Sequence, residues 1–343
     1  MTSTIALDHD GPAPGVAQQA DYRILSDAAL ILLWLFLSYA AGSLMFGFSR
    51  DYYEYLIYYE SLPRTLSLLD SRFEPGFHLV AWLSRNWLEI DLDTLIFALA
   101  TVSLGIKFAL FRRHLRNPVI AALLYTVLFY PIHEYTQYRV GVSLAFGFWA
   151  VHLLMERRFA WAGVLFALAF VFHYSSILLL IVTVGAMAVR GRLALVSFAL
   201  VAILGVVLTS QVRYLFQDVF SILNPLSGAY FANAAMIESA SITSVNNLLL
   251  IGAILCYVAA SLYTRSRYDA VFLTMTIACL LPIILLPDAP IIAQRSKEVL
   301  FVGVIFLACR SYLTLRDLPG FAFVVAVTGL LGYLWVDGGI ISI

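Results

Sequence analysis

The sequence predicts an all-α polytopic membrane protein with about eleven transmembrane helices, one re-entrant or interfacial helix and a polar cavity on the non-cytoplasmic face. Three observations carry that expectation. The 343 residues are 62% hydrophobic and 12% charged, with a mean hydropathy of +0.89; a soluble domain is roughly half apolar and about a quarter charged. Apolar runs approaching the ~20 residues needed to cross a bilayer recur along the whole chain. Short basic turns alternate with longer loops of mixed charge, as the positive-inside rule requires of a multi-pass protein.

The same composition excludes several classes. Formal net charge is zero and there is no basic patch, so a nucleic-acid partner is not expected. Cys256, Cys279 and Cys309 lie in apolar segments, without the spacing of a disulfide framework or a metal site, and read as small membrane-buried side chains. No P-loop, dinucleotide fingerprint, metal-binding histidine motif or nucleophile elbow occurs, so neither a metal nor another cofactor is expected.

In chain order, residues 1–25 are mostly polar or small and lack the basic segment of a cleaved signal peptide. They are expected as a disordered cytoplasmic tail, with 26–343 as a single polytopic domain. Spans are expected near 28–48, 92–111, 117–131, 139–155, 159–174, 176–189, 193–209, 246–263, 269–287, 297–309 and 319–336. Pro131, Pro282, Pro287 and Pro319 mark helix ends or kinks. The inside turns read "RRHLRN", "ERR", "RGR" and "RSR". The outside loops are 49–91, 132–138, 210–245 and 288–296.

Residues 73–90, "FEPGFHLVAWLSRNWLEI", decide the sidedness. The stretch is apolar but holds Glu74, His78, Arg85 and Glu89, and the next span starts at about residue 92, leaving almost no room for a turn. It is therefore expected as a re-entrant or interfacial helix within the extracytoplasmic loop 49–91, with the N-terminus cytoplasmic. That topology sets twelve basic residues inside and eight outside. A rival in which 73–90 spans and the N-terminus is outside leaves the later loops unmoved and inverts residues 1–72.

Polar chemistry gathers on the outer side. "HEYTQYRVGVSLAFG" runs His133, Glu134, Gln137 and Arg139 into a helix rich in small residues, which lets helices approach closely. A lone arginine at a helix mouth is ordinarily an interfacial cation. Here it faces the side where few are expected. "PDAPIIAQRSKEVLF" repeats the arrangement with Gln294 and Arg295, and two guanidinium forks suit a phosphate-like anion. "RDYYEYLIYYE" places Asp51 and Tyr55 in a tyrosine-rich run that reads as an aromatic belt or as a carbohydrate surface. "SRFEPGF" sets Arg72 and Glu74 at the entry to the re-entrant stretch, and His173 ends a span on the same outward face.

Together these pieces resemble the EpsG family of membrane proteins, polymerases of the Wzy type in bacterial exopolysaccharide synthesis. The matching pieces stand in order: "RDYYEYLIYY", "EPGFHLVAWL", "QYRVGVSLAFGFWAVHLL", "FALAFVFHYSSILLLI" and "IIAQRSKEVLF". Gln137-Tyr138-Arg139 and Phe172-His173-Tyr174-Ser175 match the family's Q/N-x-Arg and Phe-His-x-Ser patterns. Val140-Gly141 departs from it, since many members carry a bulkier polar residue after the arginine. The resemblance implies transfer of a glycan from a polyprenyl diphosphate to a lipid-linked repeat unit, without a metal, at the outer face of the bacterial inner membrane. On that reading Arg139 and Arg295, with Arg72 as a third cation, bind the diphosphate. Glu74 or His173 serves as base. Gln137, Gln294, Asp51, Tyr55, His133 and Glu134 line the substrate. The implied partners are the polyprenyl-diphosphate-linked oligosaccharide, the bilayer, and a chain-length regulator and a flippase of the same pathway. A lipid-linked oligosaccharide transporter and an outer-face ligase or acyltransferase are the alternatives; a transporter would carry intramembrane charge on several helices.

Overall fold

The computed structural model describes residues 16–68, 71–188, 267–286 and 290–309. Within them every regular element is helical. The spans expected at 193–209, 246–263 and 319–336, and the 210–245 loop, lie outside the described residues. Among the described residues, four helical stretches are long and apolar enough to cross a membrane: Arg23–Gly42, Leu92–His114, Tyr138–Met155 and Tyr268–Leu285. Shorter apolar helices stand at Pro118–Leu128, Phe159–Phe172 and Tyr174–Ala188. The chain is thus a multi-pass helical protein.

Helix α1 (Val16–Gly42) starts inside the stretch expected as a tail, because "VAQQADYRIL" contains good helix formers and no breaker. It also stops earlier than expected. Leu44 takes the left-handed conformation at φ 52°, while the amides of Leu44 and Met45 donate back to the carbonyls of Ala41 and Ala40, a Schellman closure. Gly42 is required there for another reason: a Cβ on it would fall 2.5 Å from Cβ of Phe97.

Two short helices follow, α2 (Tyr52–Glu60) and α3 (Pro75–Asn86), before the long α4 (Leu92–His114), whose N-cap Asp91 accepts from the amide of Thr94 at 2.8 Å. At 1.5 Å per residue α3 measures about 18 Å, well short of the ~30 Å hydrocarbon core. Helices α1 and α4 are antiparallel. Gly42 meets the start of α4, Trp34 Nε1 donates to Thr101 O at 2.8 Å midway, and Arg112 forks onto both carboxylate oxygens of Asp27 at the far end. A crossing by residues 73–90 would make α1 and α4 parallel. Instead the chain leaves α1 and enters α4 at one end of the bundle, where Tyr52 bonds Asp93 at 2.9 Å and Tyr59 bonds Ile90 O at 2.6 Å.

The return run expected at 117–131 is broken in two, α5 (Pro118–Leu128) and α6 (Tyr130–His133), at Phe129 ahead of Pro131. Helix α7 (Tyr138–Met155) is buried over 89% of its 18 residues and is the central helix of the bundle. Its small residues admit α8 (Phe159–Phe172): Ser143 Oγ donates to Ala169 O at 2.7 Å, and Gly147 accommodates Leu179 of α9 (Ile177–Ala188). A 3-10 turn, Tyr174–Ser176, joins α8 to α9. Helices α10 (Arg267–Ala278) and α11 (Leu281–Leu285), then α12 (Pro290–Phe301) and α13 (Gly303–Ala308), complete the described fold. The helix expected to begin at Lys297 already begins at Pro290, so Arg295 lies within α12 and not at its mouth.

A buried ion pair ties this arrangement together. Lys107, about two-thirds of the way along α4, donates to Glu134, to Ser103 Oγ at 2.8 Å and to Gly141 O at 2.8 Å. Tyr125 of α5 donates to the same carboxylate at 2.8 Å. Both charged groups are almost fully buried, at 3% and 1% side-chain exposure, so each depends on the other to keep its charge from being left bare in the core. Removing one partner leaves an uncompensated charge in a nonpolar interior. Lys107→Met should therefore cost about 3–5 kcal/mol, and Lys107→Met with Glu134→Leu should recover much of it. Thermal unfolding of the detergent-purified protein reads the difference; equal losses in the single and double variants would remove the pair from this role.

Candidate active site

At the end where α1 stops and α4 begins, three helix termini converge. Pro75 at the first position of α3 fixes the entry angle of residues 73–74, and Gly76 brings the helix against the last turn of α8, where a Cβ would meet Val171 O at 2.8 Å. Glu74, at the N-cap of α3, makes no side-chain cap bond. Its carboxylate turns inward, accepting from Arg139 Nη1 on one oxygen and lying 3.0 Å from His173 Nδ1 on the other. Arg139 stands in the first turn of α7 and His173 at the end of α8. All three are buried.

With Nδ1–H donated to Glu74, the imidazole of His173 keeps its lone pair on Nε2, a tautomer assigned from the hydrogen-bond network. That Nε2 and the Nε of Arg139 have no hydrogen-bond partner among the described residues. The Arg139 guanidinium lies 4.7 Å from the ring centroid of Phe73, which stacks on Tyr55 at 5.0 Å. Burial pushes the Tyr55 hydroxyl up and Asp51 adds to that push, while the nearby charges of Arg139 and Arg295 and a hydrogen bond from Arg139 oppose it. Arg139, Arg295, Asp51 and Tyr55 therefore share one electrostatic neighbourhood. Helix α12 packs on the 3-10 turn after His173, which brings Arg295 to it.

The remaining expected residues lie elsewhere. Arg72 is more than half exposed and pairs with Glu54 at 2.5 Å, reaching the site only through the Phe73 ring, 5.9 Å from its centroid. Glu134 turns away into the Lys107 pair, because a buried lysine on α4 demands its charge. His133 goes with it, stacked on Phe129 at 5.4 Å and 3.3 Å from the Tyr125 hydroxyl. Gln137 serves through its backbone, its carbonyl accepting from Val140 and Gly141 at the start of α7. Gln294 is exposed and donates to Glu298 at 3.1 Å.

Sequence reading missed a second polar chain. Tyr58 of α2 bonds Ser71 Oγ at 2.9 Å and also bonds His78 Nδ1. Ser71 Oγ accepts in turn from the Phe73 amide at 3.1 Å, fixing the turn that carries Glu74. Burial holds His78 below the usual imidazole range. The available signal was the four-residue spacing of Glu74 and His78 on α3.

Fold and site thus define a polytopic membrane protein with an Arg–Glu–His cluster at one end of its helices. A family model matches residues 27–337, and the chain belongs to the EpsG family. Membership associates it with membrane-bound polysaccharide biosynthesis. No curated protein and no solved structure matches it.

Gly76 gives a direct test of this geometry. Gly76→Ala must push α3 from the α8 backbone and draw Glu74 away from His173. Polysaccharide output should fall at least tenfold while the protein accumulates in the membrane; wild-type output would show that the close approach is not needed.

Proposed function

We propose that the protein is a polysaccharide polymerase that transfers a polyprenyl-diphosphate-linked glycan to a lipid-linked repeat unit at the non-cytoplasmic face of the inner membrane. The observation that carries this reading is the buried Glu74 carboxylate shared between a guanidinium and an imidazole. Glycosyl transfer from a diphosphate needs two things: a cation for the leaving group and a base for the acceptor hydroxyl. Arg139, with Arg295 nearby, supplies the first. His173 supplies the second.

In the proposed step the acceptor oxygen attacks the anomeric carbon while the carbon–oxygen bond to the diphosphate breaks. The bonding pair leaves on the polyprenyl diphosphate, held by Arg139, and the hydroxyl proton passes to Nε2 of His173. Glu74 then faces an imidazolium through Nδ1–H. The assignment refines the choice of base: a carboxylate already accepting two hydrogen bonds is a poor proton acceptor, whereas Nε2 is uncommitted among the described residues.

Sidedness follows from charge. The end opposite the site carries Arg112, Arg113, Arg157 and Arg158, so the positive-inside rule supports a cytoplasmic location for it and an outward site. On this reading α2 and α3 are extracytoplasmic, with α3 re-entrant or interfacial. External thiol labelling should then reach Arg64→Cys and Glu89→Cys and miss Arg113→Cys and Arg158→Cys; the reverse pattern would invert the site and remove the reading.

One observation favours a transporter: the Lys107–Glu134 pair is an intramembrane charge pair. Its donors and acceptors are mutually satisfied, which suits a structural tie better than a moving gate. The lipid-linked glycans separate the two readings. His173→Ala and Arg139→Lys should both halt polymer growth, lysine because it keeps the charge and loses the planar fork. Single repeats should accumulate facing outward, accessible to an impermeant glycosidase. Inward-facing repeats would instead indicate a transporter.

A further inference from the structure

Three of the ion pairs among the described residues are built differently. At the far end, Arg112 gives Nε and Nη2 to both oxygens of Asp27, a closed fork. In the core, the Lys107 ammonium donates to Glu134, Ser103 and Gly141, and Glu134 accepts from Tyr125 as well. Arg139 and Glu74 are less completely paired by comparison, although the Tyr55 hydroxyl also bonds the guanidinium. Arg139 gives Nη1 to Oε2, its Nε finds no partner among the described residues, and Oε1 is spent on His173. Both residues are buried, at 8% and 4% exposure, so solvent does not supply what the pair lacks.

We propose that the Arg139–Glu74 pair is an exchange latch, in which the donor's diphosphate displaces Glu74 from Arg139 and so commits Glu74 to His173. The inference rests on the reading of this site as the diphosphate site and adds an order of events to it. The charge balance gives the reason. Without donor, Arg139 and Glu74 neutralise each other and His173 is neutral. A protonated His173 would then compete with Arg139 for one carboxylate. Once a diphosphate takes the guanidinium, with its preferred bidentate geometry, Glu74 is left with the imidazole as its sole strong partner. It then stabilises the imidazolium that forms when the acceptor hydroxyl gives up its proton. The base becomes competent when the donor is bound, and donor binds before acceptor is activated. Glu74 is in this sense a positioning residue and a competitor at once.

A competitor has a signature that a structural residue lacks: removing its charge strengthens ligand binding while the reaction fails. The test is titration of the purified full-length protein in nanodiscs with farnesyl diphosphate, a short polyprenyl diphosphate. Glu74→Gln keeps shape and hydrogen bonding and should bind the probe about tenfold more tightly than wild type, with polymerisation lost. His173→Ala provides the opposite arm. It returns the whole carboxylate to Arg139 and should weaken binding severalfold, so the proposal stays testable if the glutamine variant folds poorly. Arg139→Ala should abolish binding. Unchanged or weaker binding in Glu74→Gln, with binding still lost in Arg139→Ala, would overturn the latch and leave the diphosphate site standing. Failure of folded wild type to bind the probe would overturn both.

Discussion

The Lys107–Glu134 ion pair is the constraint on which the site depends. A buried lysine in the second half of α4 can exist in a nonpolar core only with its three donors met, and those partners come from three parts of the chain: Ser103 on α4 itself, Glu134 in the turn after α6, and Gly141 in α7. Meeting them pins the turn 134–137 against α4 and α5, and it fixes where α7 begins. Gly141 is part of the same constraint, because a Cβ there would meet His133 O at 2.7 Å and Glu134 Oε1 at 3.0 Å. Arg139 stands two residues earlier and points the other way, toward Glu74. One face of the corner is locked so that the opposite face can hold a less complete pair.

Glu74 is held by an equivalent device on the other side. The Ser71–Tyr58–His78 chain ties α2 to both flanks of the turn containing Glu74, while Phe73 fills the space under the Arg139 guanidinium. Tyr55, Phe73, Phe77 and Tyr138 pack ring to ring around it. The tyrosine-rich segment therefore supports the site mainly from behind: Tyr55 is buried, and its ring is occupied by neighbouring rings. An aromatic wall lowers the local dielectric and excludes water, which strengthens the attraction between the two charges it encloses.

Much of this was legible in the sequence, and the failures have physical causes. The helical, multi-pass character followed from apolar run length, and the antiparallel α1–α4 pairing agrees with a 73–90 stretch that does not cross. Arg139, Glu74 and His173 were picked out because each is a polar group beside an apolar helix. Run length does not register closures made by the backbone, so the Schellman end of α1 at Leu44 and the break at Phe129 were missed. Glu134 and His133 were assigned to the substrate because adjacency in sequence suggested adjacency in space. A helix-start corner separates them: Arg139 faces α3, while Glu134 answers a lysine 27 residues earlier on α4. Spacing along the chain carries no sign of such a partner.

Helix termini account for why the cluster lies where it does. A cation in the first turn of α7 opposes the macrodipole, whose positive end is that same turn, so Arg139 is electrostatically misplaced unless an anion stands against it. Glu74 is well placed by the same rule, at the positive end of α3. The carboxylate therefore stands between the guanidinium on one oxygen and the imidazole on the other. Among the described residues, Glu74 is the one carboxylate that accepts directly from both Arg139 and His173, while Asp51 adds negative charge close by. On the proposed reading, an incoming diphosphate brings additional negative charge to Arg139, whose Nε has no partner among the described residues. On that reading the incompleteness of the Arg139–Glu74 pair, beside the more fully bonded Lys107–Glu134 and Arg112–Asp27 pairs, belongs to the site's chemistry.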